Sequence, residues 1–439
     1  MANDFFGNND WTRRKVLKAG GAAGMALTLG GCAARSTGSR GTAGKRVVVV
    51  GGGPGGATCA KYLRKFDPSI EVTLVEQHPK YHTCFGANWY LHGFKDFDHT
   101  VQTFDALAKD HGVKVVQDTV TGWDPDSGRV DLAGGDRLPF DRLVVSPGID
   151  FRWEMMEGMD ESDADRVPHA WKGGEQYRIL RRQLEAMDNG GTVVICPPPN
   201  PFRCPPGPYE RTSLIAHYLK HNKPRSKVLV LDAKDGFSKQ GLFEQGWEKF
   251  YGDRIEWVAG SEGGVIEEVD PKKRKVKAQG RFQEHVGDVH NVNPAQKAGK
   301  IAQTMGLTDE SGWCPVDQRS FESEMQAGVH VIGDASIAGA MPKSGFAANS
   351  QGKMTAAAIA NQLNGHPVPE PAMVNTCYSL LTPEHGISVA AVYNYRDGEI
   401  KAIEGAGGLS PADADEFFRM KEAKYTDGWF KAVTDDTWG

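Results

Sequence analysis

The run Lys45-Arg46-Val47-Val48-Val49-Val50-Gly51-Gly52-Gly53-Pro54-Gly55-Gly56 leaves few folds open to this chain. An unbroken β-branched run reads as a buried parallel strand, because only a strand covered on both faces is apolar at every position. Gly51, Gly53 and Gly56 follow at the G-x-G-x-x-G spacing, Ala57 to Leu63 reads as a helix, and Glu71 to Glu76 reads as the next strand. That strand ends in an acid about 20 residues beyond the last glycine, as a dinucleotide-binding unit requires. A glycine triplet alone is weak; strand, helix and acid together make it strong. Gly51 permits the tight turn, Gly53 lets backbone N–H groups approach a pyrophosphate, and Gly56 lets helix and strand pack closely. The helix N-terminus offers unpaired N–H donors to the phosphates, and Glu76 can accept from the ribose hydroxyls.

The first unit continues with strands at Val113–Gln117 and Arg142–Val145. A second α/β unit begins near Gly191, with a strand at Thr192–Ile195, a helix over about Glu210–His221, and a strand at Lys227–Leu231 ending in Asp232. It repeats the strand–loop–helix–strand–acid order of the first. Its loop, however, reads Cys196-Pro197-Pro198-Pro199-Asn200-Pro201, then Phe202-Arg203-Cys204-Pro205-Pro206-Gly207-Pro208-Tyr209-Glu210. Proline has no N–H and cannot cradle phosphate. The repeat keeps the signals of the fold without those of the ligand, so electrons are expected to enter by a route other than NADH.

A late strand, Val329 to Ile332, ends in Gly333-Asp334, and a helix opens near Met341-Pro342-Lys343-Ser344-Gly345. That order is similar to FAD enzymes of the disulfide-reductase type. In those an aspartate at the position of Asp334 bonds the ribityl chain, and the helix N-terminus opened by Lys343, Ser344 and Gly345 faces the flavin pyrimidine. FAD is therefore the expected dinucleotide, rather than NAD.

At 439 residues the chain is too long for one ordinary domain, and 39% hydrophobic with 24% charged residues suits a globular protein. A net charge of −5 suggests no polyanion partner, so no nucleic acid is expected. Thr12-Arg13-Arg14-Lys15-Val16-Leu17-Lys18 has a twin-arginine pattern, followed by a small-residue stretch to Gly31 that is too short to span a bilayer. Export to the periplasm is the expectation. Leu29-Gly30-Gly31-Cys32 also resembles a lipoprotein cleavage box, which would anchor the chain at Cys32; cleavage after Ala34 is the competing option. Residues 35–44 read as a Ser/Gly/Thr-rich linker. No transmembrane segment and no amphipathic membrane anchor is read in the chain.

Seven cysteines are present, with no C-x-x-C pair, no C-x-x-C-H haem motif and no metal-ligand pattern. Any haem then belongs to a partner chain. Cys59 and Cys196 read as buried core thiols, and Cys314, in Gly312-Trp313-Cys314-Pro315-Val316-Asp317, is ambiguous with burial favoured. Cys84, Cys204 and Cys377 remain. Spacing does not settle whether any two of them pair.

Several of these stretches together resemble the flavoprotein subunit of flavocytochrome c sulfide dehydrogenase. They include Val47–Cys59, Tyr81-His82-Thr83-Cys84, Pro168-His169-Ala170-Trp171-Lys172, Phe202–Arg211, Gly312–Asp317, Pro342–Lys353, Asn375-Thr376-Cys377-Tyr378-Ser379 and Asp436-Thr437-Trp438-Gly439. The resemblance implies two Rossmann-like doubly wound domains of the glutathione-reductase type plus a small C-terminal α+β interface domain. Its segments are a signal over 1–34, an FAD-binding domain over 45–160 and 310–368, a second nucleotide-binding-like domain without an NAD site over 161–309, and the interface domain over 369–439. It implies that FAD is bonded to Cys84, although Phe85-Gly86-Ala87-Asn88-Trp89 departs from the family's usual Tyr-Leu-Ser-Asn and a free thiol beside the flavin is the alternative. It implies a redox disulfide of Cys204 with Cys377 over the flavin, with Glu210 as a base or else an exposed carboxylate in the first helical turn.

The activity so implied is oxidation of hydrogen sulfide to sulfur or polysulfide, with electrons passed through FAD to a c-type cytochrome subunit. A sulfide:quinone oxidoreductase is the nearest alternative, and a non-catalytic flavin-binding interaction subunit the other. A quinone reductase needs a membrane-facing C-terminal surface, and a non-catalytic subunit needs neither Cys204 nor Cys377.

Overall fold

The computed structural model describes residues 45–279 and 284–439, so the twin-arginine segment, Cys32 and the linker lie outside the described residues. Strand β1 (Arg46–Val50) leads into helix α1 (Pro54–Phe66), β2 (Glu71–Glu76), β3 (Lys114–Gln117) and β4 (Arg142–Val145). The valines of β1 are buried on both faces, Val49 completely. A strand with no polar face needs two neighbours and two covering layers, and β1 has parallel partners on both sides, Val47 opposite Val72 of β2 and opposite Arg142 of β4.

The second half repeats the plan with β5 (Thr192–Cys196), α2 (Gly207–Asn222), β6 (Lys227–Leu231), α3 (Gln240–Phe250), β7 (Ile255–Val258) and β8 (Val289–Val292). They form a parallel sheet in the order β7-β6-β5-β8. The chain then returns to the first sheet. Strand β9 (Val329–Val331) pairs with β4 at its edge, and helix α4 (Gly345–Leu363) crosses α1. Contact there is close because α4 presents Gly352, where a Cβ would come within 2.6 Å of the Gly55 carbonyl.

The last unit is an antiparallel meander, β10 (Ala372–Thr382), β11 (His385–Arg396) and β12 (Glu399–Leu409), followed by helix α5 (Glu416–Trp438). Asp415 caps α5 by accepting from the Phe418 N–H at 2.7 Å. The end of α5 packs back on the first βα turn. Trp438 donates from Nε1 to the Gly52 carbonyl at 3.0 Å and stacks on Tyr81, while Lys61 donates to the carbonyls of Asp435 and Asp436.

The α/β class with two doubly wound halves and a C-terminal α+β unit is therefore what the chain folds into. The sequence reading missed two matching insertions. Val120–Asp124, Arg129–Leu132 and Arg137–Pro139 form a three-stranded antiparallel sheet before β4, and Ile266–Asp270, Lys275–Ala278 and Glu284–Val286 form another before β8. Their strands are short, half-exposed and rich in Lys, Arg, Asp and Glu, so neither an apolar run nor a clean alternation marks them. The predicted helix near 341–345 begins at Gly345, with Ser344 as its cap: the Ser344 hydroxyl accepts from the Ala347 N–H at 3.1 Å.

Candidate active site

The first βα turn forms one wall of a cleft of about 1000 Å³, the upper end of ordinary ligand sites. Gly51, Gly53, Pro54, Glu76, Cys84 and Asp334 all line it. Gly51 has φ +96, and a Cβ there would collide with the Ser146 carbonyl. A Cβ on Gly56 would collide with the Gly51 carbonyl, so both positions need glycine. No side chain caps the N-terminus of α1. Glu76 accepts from the Gly52 N–H at 2.7 Å and the His78 N–H at 3.0 Å, which fixes its carboxylate at the rim. Asp334 is buried, its Oδ2 takes Arg203 Nε at 2.6 Å, and its Oδ1 has no partner. A buried orphan acceptor beside a glycine-walled cleft fits the hydroxyl-bearing chain of a dinucleotide, and FAD passes this test of fit.

The cleft adjoins a second, much smaller chamber of about 40 Å³, since Cys84, Arg203 and Gly345 line both. Room on that scale suits a few-atom solute rather than a large substrate. Cys204, Cys377, Glu210, Ser379 and Trp429 are also in its wall. The segment Phe202–Gly207 brings Cys204 there on a held backbone. Arg203 pairs with Asp334, its N–H donates to Gln296 Oε1 at 2.9 Å, and Trp171 Nε1 donates to its carbonyl at 3.2 Å. Cys204 itself has φ +57, donates from its N–H to the Lys343 carbonyl at 2.7 Å, and accepts from the Gly207 N–H at 2.8 Å. Cys84, Cys204 and Cys377 are free thiols in the structure. Burial raises all three thiols above their ordinary value, Cys204 well above it.

Glu210 stands in the first turn of α2, but not as an exposed carboxylate. It is buried and accepts from Asn88 Nδ2 at 2.9 Å, Trp89 Nε1 at 3.3 Å and the Leu380 N–H at 3.0 Å. Burial raises its pKa, and those donors hold it partly down.

The corresponding position in the second half is furnished differently. Asp232, the acid ending β6, is fully buried and committed to its own chain. It accepts from the Tyr209 hydroxyl at 2.6 Å, Trp257 Nε1 at 3.1 Å and Lys234 Nζ at 2.6 Å. Phe237 stacks on Tyr209 with ring centres 3.6 Å apart, and Lys234 also donates to the Pro198 carbonyl.

Of the residues singled out in the sequence, the structure brings Gly51, Gly53, Glu76, Cys84, Asp334 and Gly345 to the cleft. Gly56 shapes the turn from behind. Cys84, Cys204, Cys377, Glu210, Ser344 and Gly345 meet at the chamber. Lys343 lines neither: its ammonium lies over the Trp313 ring at 3.8 Å and donates to the carbonyls of Asp334 and Ser336, so it braces the Asp334 turn. Cys59, Cys196 and Cys314 are buried in the core, which resolves the ambiguity at Cys314. Three groups in or behind the chamber wall were given no role from sequence: Arg203 lines it, while Arg211 and Lys239 hold Asn88 and Ser379, which do. Arg203 pairs with Asp334, fully buried Arg211 lies over the Trp171 and Tyr177 rings, and buried Lys239 reaches the Cys377 carbonyl. Nothing local in sequence marks them, because each acts on residues from distant segments.

Comparison with known proteins agrees with this geometry. Family models match at residues 177–294 (sulfide dehydrogenase [flavocytochrome c] flavoprotein chain, central), 369–438 (flavocytochrome c sulphide dehydrogenase, flavin-binding) and 45–186 (pyridine nucleotide-disulphide oxidoreductase). The flavin-binding match supports a flavin cofactor. The flavoprotein chain of Chlorobaculum thiosulfatiphilum sulfide dehydrogenase [flavocytochrome c] is 72% identical over 40 residues, 9% of this chain and 83% of that sequence. Mitochondrial sulfide:quinone oxidoreductase of Mus musculus is 23% identical over 307 residues, covering 66% of this chain and 65% of the relative. The same enzyme of Dictyostelium discoideum is 26% identical, and the chain spans 40% of its length. The solved sulfide:quinone oxidoreductase of Aquifex aeolicus superposes with TM-score 0.69 at 17% identity, over 90% of this chain and 92% of that one, which shows the shared fold. The chain belongs to the family of flavoprotein chains of flavocytochrome c sulfide dehydrogenase.

Proposed function

We propose that this chain oxidises sulfide through a Cys204–Cys377 disulfide and passes the electrons through FAD to a c-type cytochrome on a partner chain. The observation that carries the reading is the small chamber in which Cys204, Cys377 and Glu210 meet, adjoining the dinucleotide cleft through Cys84 and Arg203. In the oxidised protein, hydrosulfide attacks one sulfur of the pair. An S–S bond forms to the attacked cysteine, the cysteine–cysteine bond breaks, and the other cysteine leaves as a thiolate, so charge and electrons balance. Ionised Glu210 takes the proton when the donor arrives as hydrogen sulfide. Asn88, Trp89 and the Leu380 N–H hold that carboxylate at the chamber wall. A bound flavin supplies a two-electron acceptor on the sulfur side and a one-electron donor on the other. Asp334 and Glu76 would hold it at the cleft, and Cys84 is the residue that would tether it.

No C-x-x-C-H motif occurs in the 439 residues, which supports a haem on another chain. The twin-arginine pattern supports action in the periplasm, with Cys32 as the residue an anchor would use. Quinone is a second acceptor to consider because several relatives bear that name; among the described residues no helix is long and apolar enough to cross a membrane. Sulfide-dependent reduction of cytochrome c set against that of a soluble quinone separates the two.

The chemistry itself is tested by anaerobic flavin bleaching. Sulfide is expected to bleach the wild-type flavin and to act roughly 100-fold or more slowly on Cys204→Ser and Cys377→Ser. Unchanged bleaching in both variants would sink the disulfide route.

A further inference from the structure

Among the described residues, buried Lys239 has no carboxylate partner. It precedes α3, is 3% exposed, and has a left-handed backbone with φ +63. Its Nζ donates to the Ser379 hydroxyl at 2.8 Å and reaches the Cys377 carbonyl at 3.4 Å. Both acceptors are neutral, and an ammonium carries three N–H groups. Among the described residues no ion pair to Lys239 is found. Three destabilising features coincide here: an interior cation, a left-handed non-glycine backbone, and a positive charge at a helix N-terminus. An anion that forms during the reaction would offset them.

Four titratable groups from the surrounding elements face this ammonium: Glu210 on α2, Cys204 in the loop before it, Cys377 on β10 and Glu422 on α5. Glu210 already takes its three donors. Glu422 takes the hydroxyls of Ser388 and Ser410 at 2.6 Å each and pairs with Arg419 at 3.3 Å. The two thiols remain, and they are not equivalent. The sulfur of Cys377 has the Asn375 side-chain amide at 3.7 Å and the Ser344 hydroxyl as hydrogen-bond partners, and Lys239 holds the carbonyl of the same residue.

We infer that Lys239 is the positioning residue that makes Cys377 the departing thiolate, so that hydrosulfide is directed onto Cys204. The inference rests on the disulfide reading above. The bond that forms joins the incoming sulfur to Cys204 Sγ; the Cys204–Cys377 bond breaks, and the electron pair stays on Cys377, whose carbonyl accepts from the Lys239 ammonium at 3.4 Å. In disulfide exchange the sulfur with the more acidic thiol leaves faster. Electrostatics supports that order. Burial raises both thiols, but Lys239 is the strongest influence holding Cys377 down, whereas Cys204 is pushed further up by Cys84, Cys377 and Glu210 before Lys239 acts on it.

The test uses the dithiol-reduced holoprotein, alkylated with iodoacetamide across a pH series, with the Cys204 and Cys377 peptides quantified separately by mass spectrometry. In the wild type Cys377 is expected to react with the lower pH midpoint. Lys239→Met is expected to slow alkylation of Cys377 by roughly tenfold near neutral pH, with Cys204 changed far less, and Lys239→Arg to recover most of the rate. A wild-type midpoint for Cys377 at or above that of Cys204 overturns the inference, and that measurement needs no variant to fold. Equal slowing of both thiols, or none, in Lys239→Met also overturns it. Non-reducing peptide mapping of the oxidised protein keeps the two readings apart: absence of a Cys204–Cys377 bond removes the disulfide route whatever the thiol midpoints are.

Discussion

The two halves of the molecule start from one plan and end with opposite uses of the same place. In the first, the turn after β1 is glycine, and the acid ending β2 faces an open cleft. In the second, the turn after β5 is proline, arginine and cysteine, and the acid ending β6 is consumed by Tyr209, Trp257 and Lys234. A βαβ unit positions a loop at the end of its strands regardless of what the loop contains. The chemistry then follows from whether the loop presents N–H groups or side chains. Here one half presents N–H groups suited to phosphate, and the other presents a thiol to a chamber beside it.

The sharpest way to break this contrast is to exchange sensitivities between the halves. Gly56→Val puts a branched side chain against the Gly51 carbonyl and is expected to abolish flavin retention, read as the flavin-to-protein absorbance ratio. Pro199→Gly in the second loop should leave that ratio unchanged. Next in size is Asp232→Ala. It strands a buried ammonium, a phenol and an indole, and is expected to remove about 3–5 kcal/mol from denaturant stability with flavin spectra intact. If Asp232 instead served a nucleotide, the variant would unfold normally and lose NADH affinity.

A smaller effect is expected at Glu210. Its pKa is raised, so the ionised base is lost as pH falls through a value above the ordinary carboxylate range. The acid limb of the sulfide reaction should therefore sit above that range and flatten in Glu210→Gln, measured as a rate against pH. Smallest is Trp438→Phe, which removes one hydrogen bond to the Gly52 carbonyl and should lower stability by about 1 kcal/mol in denaturant melts.

What could be read from sequence follows the same divide. The strands β1, β2, β5 and β6 were legible because they are buried on both faces, and the glycine turn because its spacing reflects close backbone approach. Asp334 was legible as the end of a strand, but its pairing with Arg203 was not, since that pair joins the two halves. For Glu210 the sequence left two roles open, a base or an exposed first-turn carboxylate, because its burial by Asn88, Trp89 and Leu380 comes from segments far away in the chain. Lys239 carries no signal at all: its φ of +63 and its burial are properties of the fold. The two antiparallel insertions were missed because half-exposed strands of charged residues look like loops.

The contrast between the halves has one direct test. Under anaerobic conditions, aliquots of one holoprotein sample are mixed with sulfide or with NADH, and flavin absorbance is followed. The expected result is rapid bleaching by sulfide and none by NADH over the same interval. Saturable bleaching by NADH at a comparable rate would contradict it, because the second half would then bind a nucleotide where its own side chains are packed.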